Sequence, residues 1–362
     1  MPNLLFFMTP GTGLYSWKKI GTLDRELKPY IELTQSGWKV KILTFDKEPI
    51  PLPEGIESIC FPHPYLLFYL ARSHRHLGEW ADLLKTNQTH GSWFYVWASR
   101  SWKKPILLRG GYIQGEFYET TLGPGLRVAA YQEIEKWAFQ NATHCQMTTP
   151  ELSRWIQDKY AVPLHKISVI PNFVDTDIFN PRNNIPKIEN SIVSVGRLDQ
   201  VKQFDLLIRA CRKIPNCNIT LIGEGPEKSK LESLARELEV KIKFPGNVAN
   251  EALPELIQKH QVFAVTSVRE GHSKALIEAM SCGMPIIGTN VPGLKNTIQN
   301  GSNGLLVESN EDAIKQGILK LLKDAPLRSF LGNEAREFII SNCSKEVVFQ
   351  KDFELLDSLY AK

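Results

Sequence analysis

No run of apolar residues in this sequence approaches the roughly 20 that a membrane-spanning helix requires. The apolar start, Leu4-Leu5-Phe6-Phe7-Met8, is too short for a secretory leader and has no basic residues ahead of it. Paired cysteines are missing as well. The six, at positions 60, 145, 211, 217, 282 and 343, form no C-x-x-C and stand at no zinc spacing to a histidine. Neither a disulfide framework nor a structural metal is expected, and the compartment expected is the reducing cytoplasm. Charge of one sign is not in excess: 43 basic against 39 acidic residues leave +4, too little to argue for nucleic acid. A dinucleotide fingerprint is also absent, because Gly11 and Gly13 are followed by Ser16 where G-x-G-x-x-G needs a third glycine. There is no short internal repeat and no low-complexity segment.

What is present is the pattern of an α/β protein. At 362 residues, with 43% hydrophobic and 23% charged, the chain is long enough for two domains with ample cores. Leu4–Met8 and Val40–Thr44 read as buried strands, with helical periodicity from Thr22 to Thr34 between them and Gly37 closing the helix. Lys104 to Gly111 reads as a strand ending in a glycine turn, Leu126 to Phe139 as a helix, and Ile167 to Asn172 as a strand running into a turn. Asn180 to Asn190, rich in Pro, Asn and charge, reads as a linker. Ser191 to Val195 then opens a second alternation of strands and helices that continues to residue 322, a second Rossmann-like domain.

The stretch Arg269 to Gly283 lies at the centre of that second half. Val262-Phe263-Ala264-Val265 precedes it as a buried strand, and Ala275, Leu276, Ala279 and Met280 follow at helical spacing. Gly283 occupies a helix C-cap position and Pro285 comes two residues later. Glu270 therefore sits on the loop leaving a strand, and Glu278 on the helix, one turn past Lys274. A helix N-terminus seats a phosphate through its N–H groups and dipole. A carboxylate one turn in suits vicinal hydroxyls, and one on the loop suits a second polyol. A diphosphate with a sugar on each side fits that arrangement.

The string E-G-H-S-K-A-L-I-E-A-M-S-C-G-M-P resembles the signature of retaining glycosyltransferases of the glycogen-synthase and phosphatidylinositol-mannosyltransferase kind, glycosyltransferase family 4 in type. The passages Gly196-Arg197 to Lys202, Gly223-Glu224-Gly225-Pro226 and Pro171-Asn172-Phe173-Val174-Asp175 resemble further motifs of that family. The resemblance implies a GT-B fold: two Rossmann-like lobes with a cleft between them, and a last helix, Val347 to Leu359, crossing back to the first lobe. It implies an acceptor lobe of residues 1–180 with 345–362 and a donor lobe of residues 181–344. It implies a donor site with Glu270 on the donor sugar and Glu278 on the nucleotide ribose. Arg197 and Lys202 would grip the diphosphate together with helix N–H groups among Gly271, His272, Ser273, Lys274, Ala275 and Leu276. Asn247 and Val248 would lie near the base, and Gly21 of the first lobe against the diphosphate. The expected activity is metal-independent sugar transfer, with Arg197, Lys202 and Glu270 as catalytic residues. The donor would be a UDP- or GDP-sugar, the acceptor a glycan or lipid-linked glycan, and the setting polysaccharide or glycolipid biosynthesis. No bound cofactor is implied. A nucleotide-sugar epimerase and a non-catalytic nucleotide-sugar-binding subunit remain alternatives.

Three features fall outside that pattern. The family often places a histidine after the strand at residues 106–110, where this chain has Arg109-Gly110-Gly111-Tyr112. Arg109 stands there as a candidate for anion recognition. Asp175 and Asp177 form a D-x-D, but among Asn and Pro they read as local caps and not as metal ligands. Phe61 to Lys85 interleaves aromatic residues with Arg72, Arg75 and Lys85. That composition suits an anionic membrane face, or a helix with its aromatic side packed inward.

Overall fold

The computed structural model describes residues 1–182 and 184–361, which divide into two compact units. The first comprises Met1–Pro171 and the C-terminal segment from Phe349, the second Asn172–Val348.

The first unit is built on seven parallel strands: β1 (Asn3–Phe7), β2 (Lys39–Thr44), β3 (Ile56–Cys60), β4 (Leu83–Thr86), β5 (Ile106–Gly110), β6 (His144–Met147) and β7 (Ile167–Val169). They lie in the order β3-β2-β1-β4-β5-β6-β7. Leu4 of β1 pairs with Val40 on one side and Leu83 on the other. The central strands are short runs of Leu, Ile and Phe because helices cover both faces of a parallel sheet, leaving no side for polar alternation. Chain order reverses at β1, so the topological switch point lies between β1 and β4, outside their C-terminal ends. The last helix, Lys345–Tyr360, contributes Leu356 and Leu359 to the core formed by Leu4, Phe6 and Leu83.

The Phe61 to Lys85 segment is not one amphipathic helix. It divides into a 3-10 turn Pro64–Tyr69, short helices Leu70–Ser73 and Arg75–Trp80, and the beginning of β4. The expected inward aromatic face is reversed. Leu67, Leu70 and Leu77 are buried, whereas Tyr65, Phe68 and Tyr69 are exposed. Lys85 leaves the basic set altogether: it is buried in β4, with its Nζ 2.7 Å from Asp352 of the last helix. Periodicity read across the segment merged a strand with a turn, because Leu83-Leu84 continues the leucine spacing of the helix before it.

The second unit has six parallel strands: β8 (Ser191–Val195), β9 (Asn218–Ile222), β10 (Lys241–Gly246), β11 (Val262–Val265), β12 (Ile286–Thr289) and β13 (Leu305–Val307). Their order, β10-β9-β8-β11-β12-β13, places a switch point between β8 and β11, which pair through Ile192 and Val262. This unit begins before the Pro- and Asn-rich linker. Val174 and Phe179 are buried in its core, and Val174 exchanges backbone hydrogen bonds with Cys343 and Lys345. The linker itself is laid on the same unit, with the Arg182 N–H donating to Gln258 Oε1.

Candidate active site

The loops leaving β8 and β11 meet at the second unit's switch point. The β8 loop carries Gly196 to Lys202 and the β11 loop Thr266 to Ser273, and the Val268 N–H donates to the Val201 carbonyl between them. Lys202 Nζ donates to Glu270 Oε1 at 2.5 Å. The same oxygen accepts from Ser267 Oγ at 2.7 Å, and Thr266 Oγ1 donates to the Lys202 carbonyl at 2.9 Å. An ammonium and a carboxylate, both mostly shielded, are thus fixed at the one place where an open α/β sheet leaves room for a ligand.

Close backbone approaches hold these loops. A Cβ on Gly293 would stand 1.8 Å from the Glu270 carbonyl oxygen, so only glycine lets the helix Pro292–Lys295 press on that loop. A Cβ on Gly223, whose φ is +135°, would stand 2.1 Å from the Gly196 carbonyl oxygen. The glycines of Gly223-Glu224-Gly225-Pro226 therefore fit the β9 loop against the β8 loop.

Beyond Glu270, helix Lys274–Ser281 begins with Ser273 as N-cap. Its first N–H groups have no acceptor within the helix, the usual anion seat. Glu278 is buried one turn in, and Gly283 ends the helix at φ +69°. Burial, and then the Glu278 charge, pushes the Cys282 thiol up to about 12. His272 is buried and tied to Asn172, whose N–H donates to its Nδ1 at 3.2 Å and whose Nδ2 donates to its carbonyl at 2.6 Å. The Pro-Asn passage thus braces the β11 loop.

Arg197 is not gathered with Lys202 and Glu270. Its side chain is 73% exposed, and its nearest acid is Asp199 at 3.9 Å. Gly271, Lys274 and Ala275 are half-buried and Leu276 is fully buried. Asn247 and Val248 follow the turn at Gly246, with Val248 packed against the core cluster that includes Ile222. Gly21 belongs to the first unit and stands between helices Leu14–Lys19 and Leu23–Gln35. The glycine at the start of the first helix after β1 is Gly13, its N-cap. Arg109 donates from Nη1 to the Asn87 carbonyl at 3.3 Å, a bond between the loops of β5 and β4. In the D-x-D, Asp175 Oδ1 accepts the Asp177 N–H at 3.1 Å, and Lys345 bonds both carboxylates. Asp175 is thus a local cap, and Asp177 is held by Lys345.

Sequence reading missed Thr266, Ser267 and Gly293. The available signal was a Thr-Ser pair directly after a buried strand, where hydroxyls leave the sheet at its ligand-binding edge.

The fold and the switch-point site define a doubly wound two-unit protein of the GT-B class. Two family models match in succession: "Glycosyltransferase Family 4" over residues 31–178 and "Glycosyl transferases group 1" over 175–338. The chain belongs to these glycosyltransferases. N-acetyl-alpha-D-glucosaminyl L-malate synthase of Bacillus anthracis is 28% identical over 200 residues, 51% of this chain and 52% of that protein. The chain spans about half the length of the curated relatives it matches. Among solved structures, sucrose-phosphate synthase of Thermosynechococcus elongatus has a TM-score of 0.82 at 20% identity, over 100% of both chains. Anabaena HepE, solved with UDP-glucose, has a TM-score of 0.77 at 17% identity, over 99% of this chain and 100% of that one.

Proposed function

We propose that the protein transfers a hexose from a nucleoside-diphosphate sugar to a hydroxyl acceptor with retention of anomeric configuration. The observation that carries this reading is the Lys202–Glu270 pair at the switch point, beside a helix N-terminus with Glu278 one turn inside it. Each part suits one piece of such a donor. The diphosphate takes the Lys202 ammonium and the first N–H groups of helix Lys274–Ser281. Vicinal hydroxyls of the ribose take Glu278, those of the sugar take Glu270, and the base lies toward Asn247 and Val248. Arg197, extended into solvent, turns onto the diphosphate when it binds.

The chemistry follows from charge. As the bond between the anomeric carbon and the diphosphate breaks, negative charge grows on the leaving oxygens, where Lys202 is already held. The acceptor oxygen bonds to the anomeric carbon on the face the diphosphate leaves. Its proton passes to a departing phosphate oxygen, so no protein base is consumed. The cations present supply the electrostatic work, and the D-x-D acids are engaged elsewhere by Lys345. Transfer therefore needs no metal.

The donor reading follows the neighbour solved with UDP-glucose, and a UDP-sugar is the first candidate, a GDP-sugar the second. The acceptor falls to the first unit and is a glycan, lipid-linked in the fullest form of the proposal. Release of nucleoside diphosphate from UDP- and GDP-sugars, with proton NMR of the anomeric centre in the product, tests the reading. Retained configuration supports it. Inversion, or isomerisation of the donor sugar without transfer, overturns it.

A further inference from the structure

The first unit carries a basic and aromatic face to which the proposed transfer assigns no residue. The 3-10 turn Pro64–Tyr69 is anchored by Leu67 and, just past it, Leu70, both fully buried. That anchoring turns Tyr65, Phe68 and Tyr69 outward, each more than 60% exposed. Phe68 rests edge-on against Phe94 of helix Ser92–Trp102, and Trp97 of that helix is exposed next along it. Between turn and helix lies a cavity of about 1030 Å³ lined by Phe68, Tyr69, Arg72, Trp97, Lys103 and Lys104, and by the neighbouring Arg75 and Glu79. Arg75 is paired with Glu79 at 2.9 Å. Arg72, Lys103 and Lys104 have no ion pair among the described residues.

We propose that this face docks the protein on an anionic lipid bilayer. Folding has buried Leu67, Leu70 and Leu77 and left Leu66, Phe68 and the amphipathic rings of Tyr65 and Tyr69 outside, which is the composition of a bilayer interface and not of a packed helix. Three uncompensated cations rim those rings, complementary to anionic headgroups. The same charges argue against a second copy as occupant. A two-fold contact would bring each cationic rim onto its own image. The inference does not rest on the transfer reaction, because binding is read without turnover.

The test is co-sedimentation of the full chain with vesicles of phosphatidylcholine alone or mixed with phosphatidylglycerol, at low and high salt. The wild type should pellet with the mixed vesicles at low salt and return to the supernatant at high salt. Arg72→Glu/Lys103→Glu/Lys104→Glu should lower partitioning on the order of 100-fold, at about fivefold per basic residue lost. Phe68→Ser/Tyr69→Ser should weaken binding at every salt concentration, with melting temperature lowered by no more than a few degrees because both rings are largely exposed and only the Phe68–Phe94 edge contact is lost. A wild type that stays in the supernatant, or binds both vesicle types equally, overturns the proposal. So does binding that neither variant weakens. A concentration-dependent dimer that Phe68→Ser/Tyr69→Ser abolishes would assign the face to self-association instead.

Discussion

Lys202 and Glu270 come from different loops, 68 positions apart in the chain, and meet at 2.5 Å outside the ends of β8 and β11. There each satisfies the other. A donor would separate their duties, with phosphate on the lysine and sugar hydroxyls on the glutamate.

That division predicts opposite effects on nucleotide and sugar. Glu270→Gln removes the competing carboxylate but leaves Lys202 for the diphosphate. The free nucleoside diphosphate should bind as well as to wild type or better, while transfer falls on the order of 100-fold. Calorimetric titration beside steady-state turnover separates the two. Equal losses in both would place Glu270 on the nucleotide.

Gly293 should be intolerant of a methyl group. Its added Cβ would stand 1.8 Å from the Glu270 carbonyl oxygen, so Gly293→Ala must displace the loop that aims the carboxylate. Turnover should fall at least tenfold, with a stability cost of about 1–3 kcal/mol. Kinetics and chemical denaturation of one preparation check both. Full activity would show that the loop position is not needed.

Much of this was legible in the sequence. Strand Ser191–Val195 and the strand-loop-helix unit around Glu270 follow from β-branched runs, the Gly283 cap and Pro285, all local signals. Lys85, by contrast, closes a segment of interleaved aromatic and basic residues and reads as surface. Its partner Asp352 lies 267 positions away, a pairing that no local pattern encodes. Ser267 and Gly293 were hidden for the same reason, since their roles exist only where separate loops meet. The outward aromatics of Pro64–Tyr69 needed the structure too, because periodicity alone does not say which face is buried.

The Lys85–Asp352 pair should hold the last helix to the first unit. Lys85→Met leaves a buried carboxylate without its cation, a loss of about 3–5 kcal/mol. Lys85→Met/Asp352→Leu, which removes both charges, should recover most of it. Denaturant melts of the two variants decide. A harmless single variant would show that water reaches the site.

Acid should loosen the second unit through His260. This buried ring bonds Thr220 Oγ1 through Nε2 and the Leu256 carbonyl through Nδ1, and burial lowers its pKa below the ordinary histidine value. The unfolded chain then binds the proton more readily than the folded one. Stability is full above the ordinary value and is lost as pH falls through the lowered one. Melting temperature against pH, for wild type and His260→Gln, should show a shallower acid decline in the variant. Parallel curves would assign the decline to other groups.

Chelation should leave transfer intact if, as proposed, Lys202 and the helix N–H groups compensate the charge of the diphosphate. Loss of activity in EDTA, restored by magnesium or manganese, would contradict that.

In the proposed reaction the switch point of the second unit binds a nucleoside diphosphate through Lys202. Its most direct test is a thermal-shift panel of UDP, GDP and ADP on wild type and Lys202→Ala. One nucleotide should raise the wild-type melting temperature selectively, as about 2.7 kcal/mol of stabilisation at 100-fold excess over Kd requires. In Lys202→Ala that shift should largely vanish while the unliganded melting temperature stays within a few degrees. An undiminished shift in the variant, or none with any nucleotide in wild type, would contradict the account.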